Sequence, residues 1–191
     1  MRGTKHKCIQ AKKKIPKFAI VLAVFAFHLV STTWVSADLI DDVCQKTSDP
    51  NLCKSTIRLD PSSSSADTKG LARIMIQKTN DSTSDAKDEE IPRLIGKTKD
   101  VDVQNRLRSC GESYAIVQIR HVAYAMFYLD RDNYKAASNS IGEATVVIGF
   151  CNKGFTDPPV GPKMPSPLAD VNKLLTSLIH VSVDILNMLA A

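Results

Sequence analysis

Apolar side chains recur every three or four residues through the second half of the chain, the spacing of residues on one face of a helix. A four-residue connection, Asp130-Arg131-Asp132-Asn133, divides the pattern, which predicts two long helices that are antiparallel neighbours. The first predicted helix carries Val103, Leu107, Cys110, Tyr114, Val117, His121, Tyr124 and Tyr128 on this face, and the second carries Tyr134, Ala137, Ile141, Ala144, Ile148 and Cys151.

A third amphipathic helix is predicted at the end of the chain. Ser166 is suited to the N-cap and Pro167 to the first helical position, where a missing N–H is tolerated. The predicted inward stripe is broad and consists of Val171, Leu174, Leu178, Val181, Ile185 and Met188, widened by Leu175, Ile179 and Leu186.

Upstream, two short apolar-periodic segments flank the turn signal Asp49-Pro50. Asp67 is suited to cap a further helix, whose polar end at residues 80–90 we expect to be frayed before Pro92. The chain is therefore predicted to be all-α, with four bundle helices preceded by an N-terminal helical hairpin.

The first 37 residues have the order of a secretory signal peptide. Seven basic and no acidic residues occupy positions 2–17, the uncharged run Phe18–Val30 follows, and Val35-Ser36-Ala37 offers small residues for cleavage. The alternative is an uncleaved membrane anchor, because the uncharged stretch Phe18–Ala37 is 20 residues long. The second half of this uncharged stretch is polar, so we expect cleavage after Ala37. The mature domain is then residues 38–191, and we expect it not to associate with a membrane.

Removal of this segment changes the charge of the protein. The whole chain is +5, but residues 38–191 hold 18 basic and 20 acidic residues, a net charge of −2. The basic character therefore belongs to the targeting segment, and nucleic acid is not an expected partner.

Four cysteines remain in the predicted mature domain, an even number that favours two disulfides in a secreted protein. Four cysteines can form two disulfides in three different ways, and their number alone does not choose among them. The helical stripes favour Cys110 with Cys151, since antiparallel geometry brings those helix ends together, and this leaves Cys44 with Cys53 across the Asp49-Pro50 turn. The predicted mature sequence has no closely spaced cysteine or histidine pairs of the kind that bind a metal ion. The sequon at Asn80 is a candidate N-glycosylation site.

Catalytic signatures are missing from the predicted mature sequence. His121 and His180 are its two histidines, and both lie among apolar residues, which favours partly buried structural roles. No nucleophile elbow, zinc motif or phosphate-binding loop occurs, and the acidic runs fit solvated helix faces. We therefore predict neither an enzyme nor a bound cofactor.

Several motifs resemble the plant invertase and pectin methylesterase inhibitor family, and together they cover nearly all of residues 38–191. They are Cys44 and Cys53 with eight residues between them, Leu59-Asp60-Pro61, Cys110 with Tyr114, Tyr134 with Ala137, Cys151 with Phe155, and Ser166-Pro167-Leu168. The resemblance implies an up-and-down four-helix bundle behind a helical hairpin. It also implies a one-to-one complex that blocks the active-site cleft of an enzyme.

The residues at the turn between the two long helices bear on the target. Invertase inhibitors of this family can carry Pro-Lys-Phe there, whereas this chain has Asp132-Asn133-Tyr134-Lys135. An acidic residue followed closely by tyrosine is similar to pectin methylesterase inhibitors, so the resemblance favours pectin methylesterase over acid invertase. It implies an extracellular, cell-wall location, with the vacuole as the alternative. Two other hypotheses are a non-inhibitory secreted helical binding protein and a lipid carrier.

Overall fold

Six α-helices and one 3₁₀ helix, Pro61–Ser65, lie within residues 39–191, the part of the chain that the structure, a computed structural model, describes. Helices α3 and α4 each contain one π-helical turn, and α5 is interrupted at Glu143 alone. The bounds are α1, residues 39–44; α2, Pro50–Arg58; α3, residues 68–97 (Thr68–Asp85, the π turn Ala86–Glu90 and Ile91–Lys97); α4, residues 101–130 (Val101–Ile116, the π turn Val117–Val122 and Ala123–Asp130); α5, residues 134–156 (Tyr134–Gly142 and Ala144–Thr156); and α6, Ala169–Ala190.

Polar side chains begin the helices where the sequence changes from loop to periodic pattern. Asp49 caps α2, Asp67 caps α3, and Asn133 caps α5, each by accepting a backbone N–H from the first turn of its helix. A buried disulfide, Cys44–Cys53, then joins α1 to α2 and closes the N-terminal hairpin. The prediction of a cap at Asp67 is confirmed.

The four long helices pack as an antiparallel bundle in which α3 lies against α4 and α6, and α5 lies against the same two helices. Helix α2 packs on α3 and α6, so the hairpin covers that side of the bundle and leaves the outer side of α4 free of it. The predicted all-α fold, with two disulfides, is confirmed. The largest fully buried side chains are Tyr114, Phe155, Ile57, Leu71, Met75, Ile76, Leu107, Leu129, Ile141, Ile148, Leu168 and Leu175.

The π turn of α4 shifts the buried stripe by one residue. Up to His121 the predicted inward positions are correct, but beyond the turn Ala125 and Leu129 are buried, and Tyr124 is 54% exposed. A π turn accommodates one more residue than a regular α-helical turn, so every later side chain is displaced to the next position. The prediction that Tyr124 faces the core is therefore wrong.

Helix α3 continues through the polar segment that we expected to fray. It carries the π turn Ala86–Glu90 immediately before Pro92 and ends only at Lys97. A proline in a helix lacks an N–H and clashes with the carbonyl one turn back, and a widened turn relieves both problems. Ala86 and Ile91 are buried, so this segment is anchored to the bundle core.

Helix α6 begins two residues later than predicted. Leu168 is its N-cap, and Ser166 instead accepts the backbone N–H of Leu168 at 3.2 Å. Leu174 is 44% exposed and His180 is exposed, so the predictions that Leu174 faces the core and that His180 is partly buried are wrong. Among the described helices, α6 alone is long and apolar enough to cross a membrane, but eight of its residues are buried, which is typical of a core helix.

Candidate functional site

An exposed apolar surface lies on α4, on the side that the hairpin does not cover. Between Glu112 and Asp130 the sequence contains one arginine, Arg120, and no carboxylate. We call Ile116, Ile119, Ala123, Tyr124 and Phe127 the α4 face. All five are exposed, with Ile119 at 74% and Phe127 at 45%. Contiguous exposed apolar patches on a soluble domain commonly mark a binding surface.

The aromatic rings of this region support one another. Phe127 and Tyr128 meet edge to face with ring centroids 5.3 Å apart, and Tyr124 lies 6.4 Å from Tyr128. The guanidinium carbon of Arg131 lies 3.6 Å from the centre of the Phe127 ring, while its Nη1 donates to the Phe127 carbonyl at 3.0 Å. These contacts restrict the rings before any partner binds. Tyrosine and arginine are also residue types that dominate the binding energy of protein interfaces.

The turn between α4 and α5 is tied to α3 by charged side chains. Asp132 has a φ of 56°, and its carboxylate receives Nζ of Lys69 at 2.6 Å and the hydroxyl of Tyr134 at 2.8 Å. The hydrogen bond from Lys69, followed by that from Tyr134, lowers the pKa of Asp132, and Asp132 in turn raises the pKa of Lys69. The left-handed residue at the tip of the turn is thus held by partners on both sides.

A second ion pair lies one helical turn further along α3. Arg73 Nη2 is 2.5 Å from Asp130 Oδ1, and this hydrogen bond lowers the pKa of Asp130. We call the set Lys69, Arg73, Asp130, Asp132 and Tyr134 the turn clamp. Exposed ion pairs stabilise a fold little, so the main effect of the clamp is on the position of the turn. The clamp includes Asp132 and Tyr134, the two residues that distinguish this turn from a Pro-Lys-Phe motif.

Buried polar contacts surround the Cys110–Cys151 disulfide, which links α4 to α5. Tyr114 and Asn172 are hydrogen bonded beside it. Further along α4, away from the disulfide, His121 Nδ1 lies 3.0 Å from the carbonyl oxygen of Ser140. All four disulfide-bonded cysteines are buried, and their role is structural. Within residues 39–191, no group of three or more His, Cys, Asp or Glu side chains is placed to hold a metal ion.

The sequon residue Asn80 lies on α3, where it is half-buried. Its backbone carbonyl accepts a 3.4 Å hydrogen bond from the side chain of Gln118 on α4. Asn80 therefore lies at the seam between the two helices. Glycosylation of this residue stays a prediction.

A second apolar depression, of about 370 Å³, lies between the start of α4 and the end of α5. Phe150 and Val160 line it and are 60% and 83% exposed. Arg106 holds its outer wall by donating to the carbonyls of Val160 and Pro162. Gly161, with a φ of 89°, permits this approach, because a Cβ there would lie 2.7 Å from the Arg106 guanidinium.

The sequence did not single out the α4 face among the exposed positions of the long helices, and the regular helical period assigned Tyr124 to the core. One signal was available, namely the run between Glu112 and Asp130 with its single arginine. A helix that is apolar on all sides is either wholly buried or has a partner for its outer side. No sequence pattern predicts the turn clamp, because Lys69 and Asp132 are 63 residues apart in the chain.

Comparison with known proteins agrees with the resemblance of the motifs. The chain is 28% identical over 151 residues to a pectinesterase inhibitor of Actinidia deliciosa, covering 79% of each protein. It is 30% identical over 136 residues to the cell wall / vacuolar inhibitor of fructosidase 2 of Arabidopsis thaliana, covering 71% of this chain and 75% of that protein. The fold matches the crystal structure of mutant form A of a pectin methylesterase inhibitor from Arabidopsis with a TM-score of 0.60 at 17% identity, over 76% of this chain and 93% of that one. Because the sequence profile of the plant invertase/pectin methylesterase inhibitors matches residues 38–185, the chain belongs to that family.

Proposed function

We propose that the protein is a secreted inhibitor of pectin methylesterase in the plant cell wall and is not itself an enzyme. The relatives that it matches are named as inhibitors of a pectinesterase or of a fructosidase. The observation that carries the choice of target is the turn clamp. Asp132 and Tyr134 stand there in place of Pro-Lys-Phe. The carboxylate of Asp132 accepts from both Lys69 and Tyr134, which gives the turn a defined geometry.

The inhibitor acts by covering the active-site cleft of its target in a one-to-one complex. The α4 face supports this mechanism, because it offers apolar side chains on a rigid helix together with the prepositioned ring of Phe127. A rigid surface loses little conformational entropy on binding, and a few buried anchors then supply most of the affinity. No cofactor takes part.

Acid invertase is the second candidate target, and one observation favours it. Glycoside hydrolases such as invertase place paired carboxylates in their clefts. The α4 face is bordered by Arg120, and no carboxylate occurs between Glu112 and Asp130. This cation is complementary to an acidic cleft. A secreted helical binding protein without inhibitory activity is the remaining alternative.

Secretion follows from the predicted signal peptide, residues 1–37, which lies outside the described residues. Cleavage after Ala37 releases a protein that begins at Asp38 and acts in the cell wall, or in the vacuole if it is sorted there. The intact mass of the protein recovered from the medium of a secreting plant host tests this step. Retention of the N-terminal segment contradicts it.

A parallel titration tests the function. The oxidised protein, secreted from the full chain and treated to remove N-glycans, is added at mildly acidic pH to a plant pectin methylesterase and to an acid invertase. We expect stoichiometric loss of pectin methylesterase activity and none of invertase activity. The reverse pattern would identify invertase as the target. Activity unchanged in both assays, with helical circular dichroism intact, would refute the inhibitor function.

Two substitutions show whether the α4 face is the contact surface. Ile119→Asp places a charge on the α4 face at a side chain that is 74% exposed, and Val160→Asp places the same charge on the other apolar site of the bundle. Both side chains are exposed, so neither change disturbs the core. Loss of inhibition by Ile119→Asp alone supports the α4 face, and equal loss in both variants argues against it.

A further inference from the structure

The edge of α3 that faces α4 carries three contacts in a row. Lys69 and Arg73 hold the α4–α5 turn, and the carbonyl of Asn80 accepts the side chain of Gln118 in the π turn of α4. Residues four and seven positions apart on a helix lie along the same edge. Asn80 is therefore at the α3–α4 seam, level with the middle of α4.

The seam borders the α4 face directly. Gln118 immediately precedes Ile119, which is 74% exposed and belongs to that face. The Nδ2 atom of Asn80 lies 3.4 Å from Oδ1 of Asp81, an exposed residue. The amide nitrogen that a glycan would modify thus lies beside an exposed side chain at the surface of α3, while the residue as a whole is half-buried.

We propose that an N-glycan on Asn80 covers the middle of the α4 face and thereby weakens binding of the target enzyme. A sequon of this form, Asn80-Asp81-Ser82, is the acceptor for N-glycosylation in secreted proteins. A glycan is bulky and hydrated, and it is attached to the residue whose backbone carbonyl accepts the side chain of Gln118, the neighbour of Ile119. Occupancy of one residue therefore sets the fraction of molecules whose α4 face is free. The effect on binding rests on the proposed function, whereas the covering of the face does not.

The modification is a group transfer in the secretory pathway from a lipid-diphosphate-linked oligosaccharide. The Asn80 amide nitrogen, Nδ2, forms a bond to C1 of the first sugar as the bond from C1 to the diphosphate oxygen breaks. The diphosphate leaves with the bonding electron pair, and Nδ2 loses one of its two protons. The transfer acts on the unfolded nascent chain, so the later half-burial of Asn80 in α3 is no obstacle.

Two substitutions at one position separate the glycan from the side chain. Ser82→Ala destroys the sequon and leaves Asn80 in place, whereas Ser82→Thr preserves the sequon. Ser82 lines a groove between α3 and α6, so neither change touches the α3–α4 seam. The full chain is secreted from a glycosylating host in wild-type, Ser82→Ala and Ser82→Thr forms. Their masses are measured before and after enzymatic removal of N-glycans.

Hydroxyl-radical footprinting reports the covering without any enzyme. We expect lower oxidation of Ile119 in wild type and Ser82→Thr than in Ser82→Ala, with oxidation of the remote Val160 equal in all three. Absence of a glycan from the secreted wild type would overturn the proposal, and so would equal oxidation of Ile119 in the three forms.

Titration of the target enzyme completes the test. We expect the Ser82→Ala form to inhibit at a concentration about tenfold lower than the two glycosylated forms, corresponding to loss of one or two contacts at a binding surface. Equal inhibition by all three forms would overturn the regulatory part. If the glycan-free Ser82→Ala form inhibits neither enzyme, the proposed function is refuted. The footprinting result would then still show whether the glycan covers the α4 face.

Discussion

The hydroxyl of Tyr114 on α4 donates a 2.6 Å hydrogen bond to the side-chain carbonyl of Asn172 on α6. Both residues are buried. Asn172 also donates a 2.7 Å hydrogen bond from Nδ2 to Oδ1 of Asn152 on α5. Burial raises the pKa of Tyr114, so its hydroxyl keeps the proton that it donates. Three bundle helices are thus joined by one polar chain beside the Cys110–Cys151 disulfide.

Replacement of Tyr114 by phenylalanine is expected to lower the free energy of unfolding by about 1–3 kcal/mol, because the buried carbonyl of Asn172 loses its donor. The ring and its packing stay in place, which isolates the hydroxyl. Urea unfolding followed by circular dichroism measures the difference. The matched control is Tyr124→Phe, at a ring that is 54% exposed, where we expect a change within about 0.5 kcal/mol. An equal effect at both tyrosines would contradict this account.

The two disulfides are expected to contribute unequally to stability. Cys110–Cys151 closes a sequence separation of 41 residues and Cys44–Cys53 one of 9. In the chain-entropy model the longer loop contributes about 4 kcal/mol and the shorter about 3 kcal/mol. Paired alanine substitutions of each bridge, compared by urea unfolding, measure both losses. A larger loss from the Cys44–Cys53 pair would mean that the hairpin contacts outweigh loop entropy.

The helices, their order and both disulfide pairs follow from the sequence because they rest on local spacing and on the antiparallel packing of neighbouring helices. The burial of Tyr124 and Leu174 was mispredicted for different reasons. The π turn of α4 inserts one extra residue, and a fixed helical period cannot predict that insertion. The buried stripe of α6 includes Asn172, a polar residue at a position where an apolar pattern predicts a residue such as leucine. Asn172 is recognisable as a core residue only once Tyr114 and Asn152 are known to surround it.

The turn clamp is expected to affect binding more than folding. Lys69→Met keeps the length of the side chain but removes its charge, so Asp132 is left with Tyr134 as its partner in the clamp. We expect thermal unfolding to change little, since the pair is exposed, and dissociation of the enzyme complex to become several-fold faster because the turn is less restrained. Surface plasmon resonance measures the rate. Lys78→Met, on the same helix but away from the turn, is the control and should leave the rate unchanged.

The clamp should remain ionised at the acidity of a plant cell wall. Hydrogen bonds from Arg73 and Lys69 lower the pKa values of Asp130 and Asp132 in the folded protein. Carboxylates of this kind stabilise the fold at any pH above their unfolded pKa of about 3.9, and they lose that effect as the pH falls through the lower folded pKa. The double variant Asp130→Asn/Asp132→Asn should therefore melt slightly below wild type at mildly acidic and neutral pH, because the pairs are exposed. The two melting temperatures should converge in strong acid, and a constant difference at every pH would contradict the assignment.

Phe127 should be the principal anchor of the α4 face. Its ring is 45% exposed and is fixed by Tyr128 at its edge and by Arg131 over its face, so it binds a partner without first being ordered. Removal of such an anchor commonly costs about 2 kcal/mol of binding free energy, roughly a thirtyfold loss of affinity. Phe150→Ala removes an equally large exposed ring from the depression on the other side of the bundle and serves as the control. Isothermal titration of both variants against the target enzyme compares them directly. A loss of affinity with Phe150→Ala and none with Phe127→Ala would move the binding surface to the depression between α4 and α5.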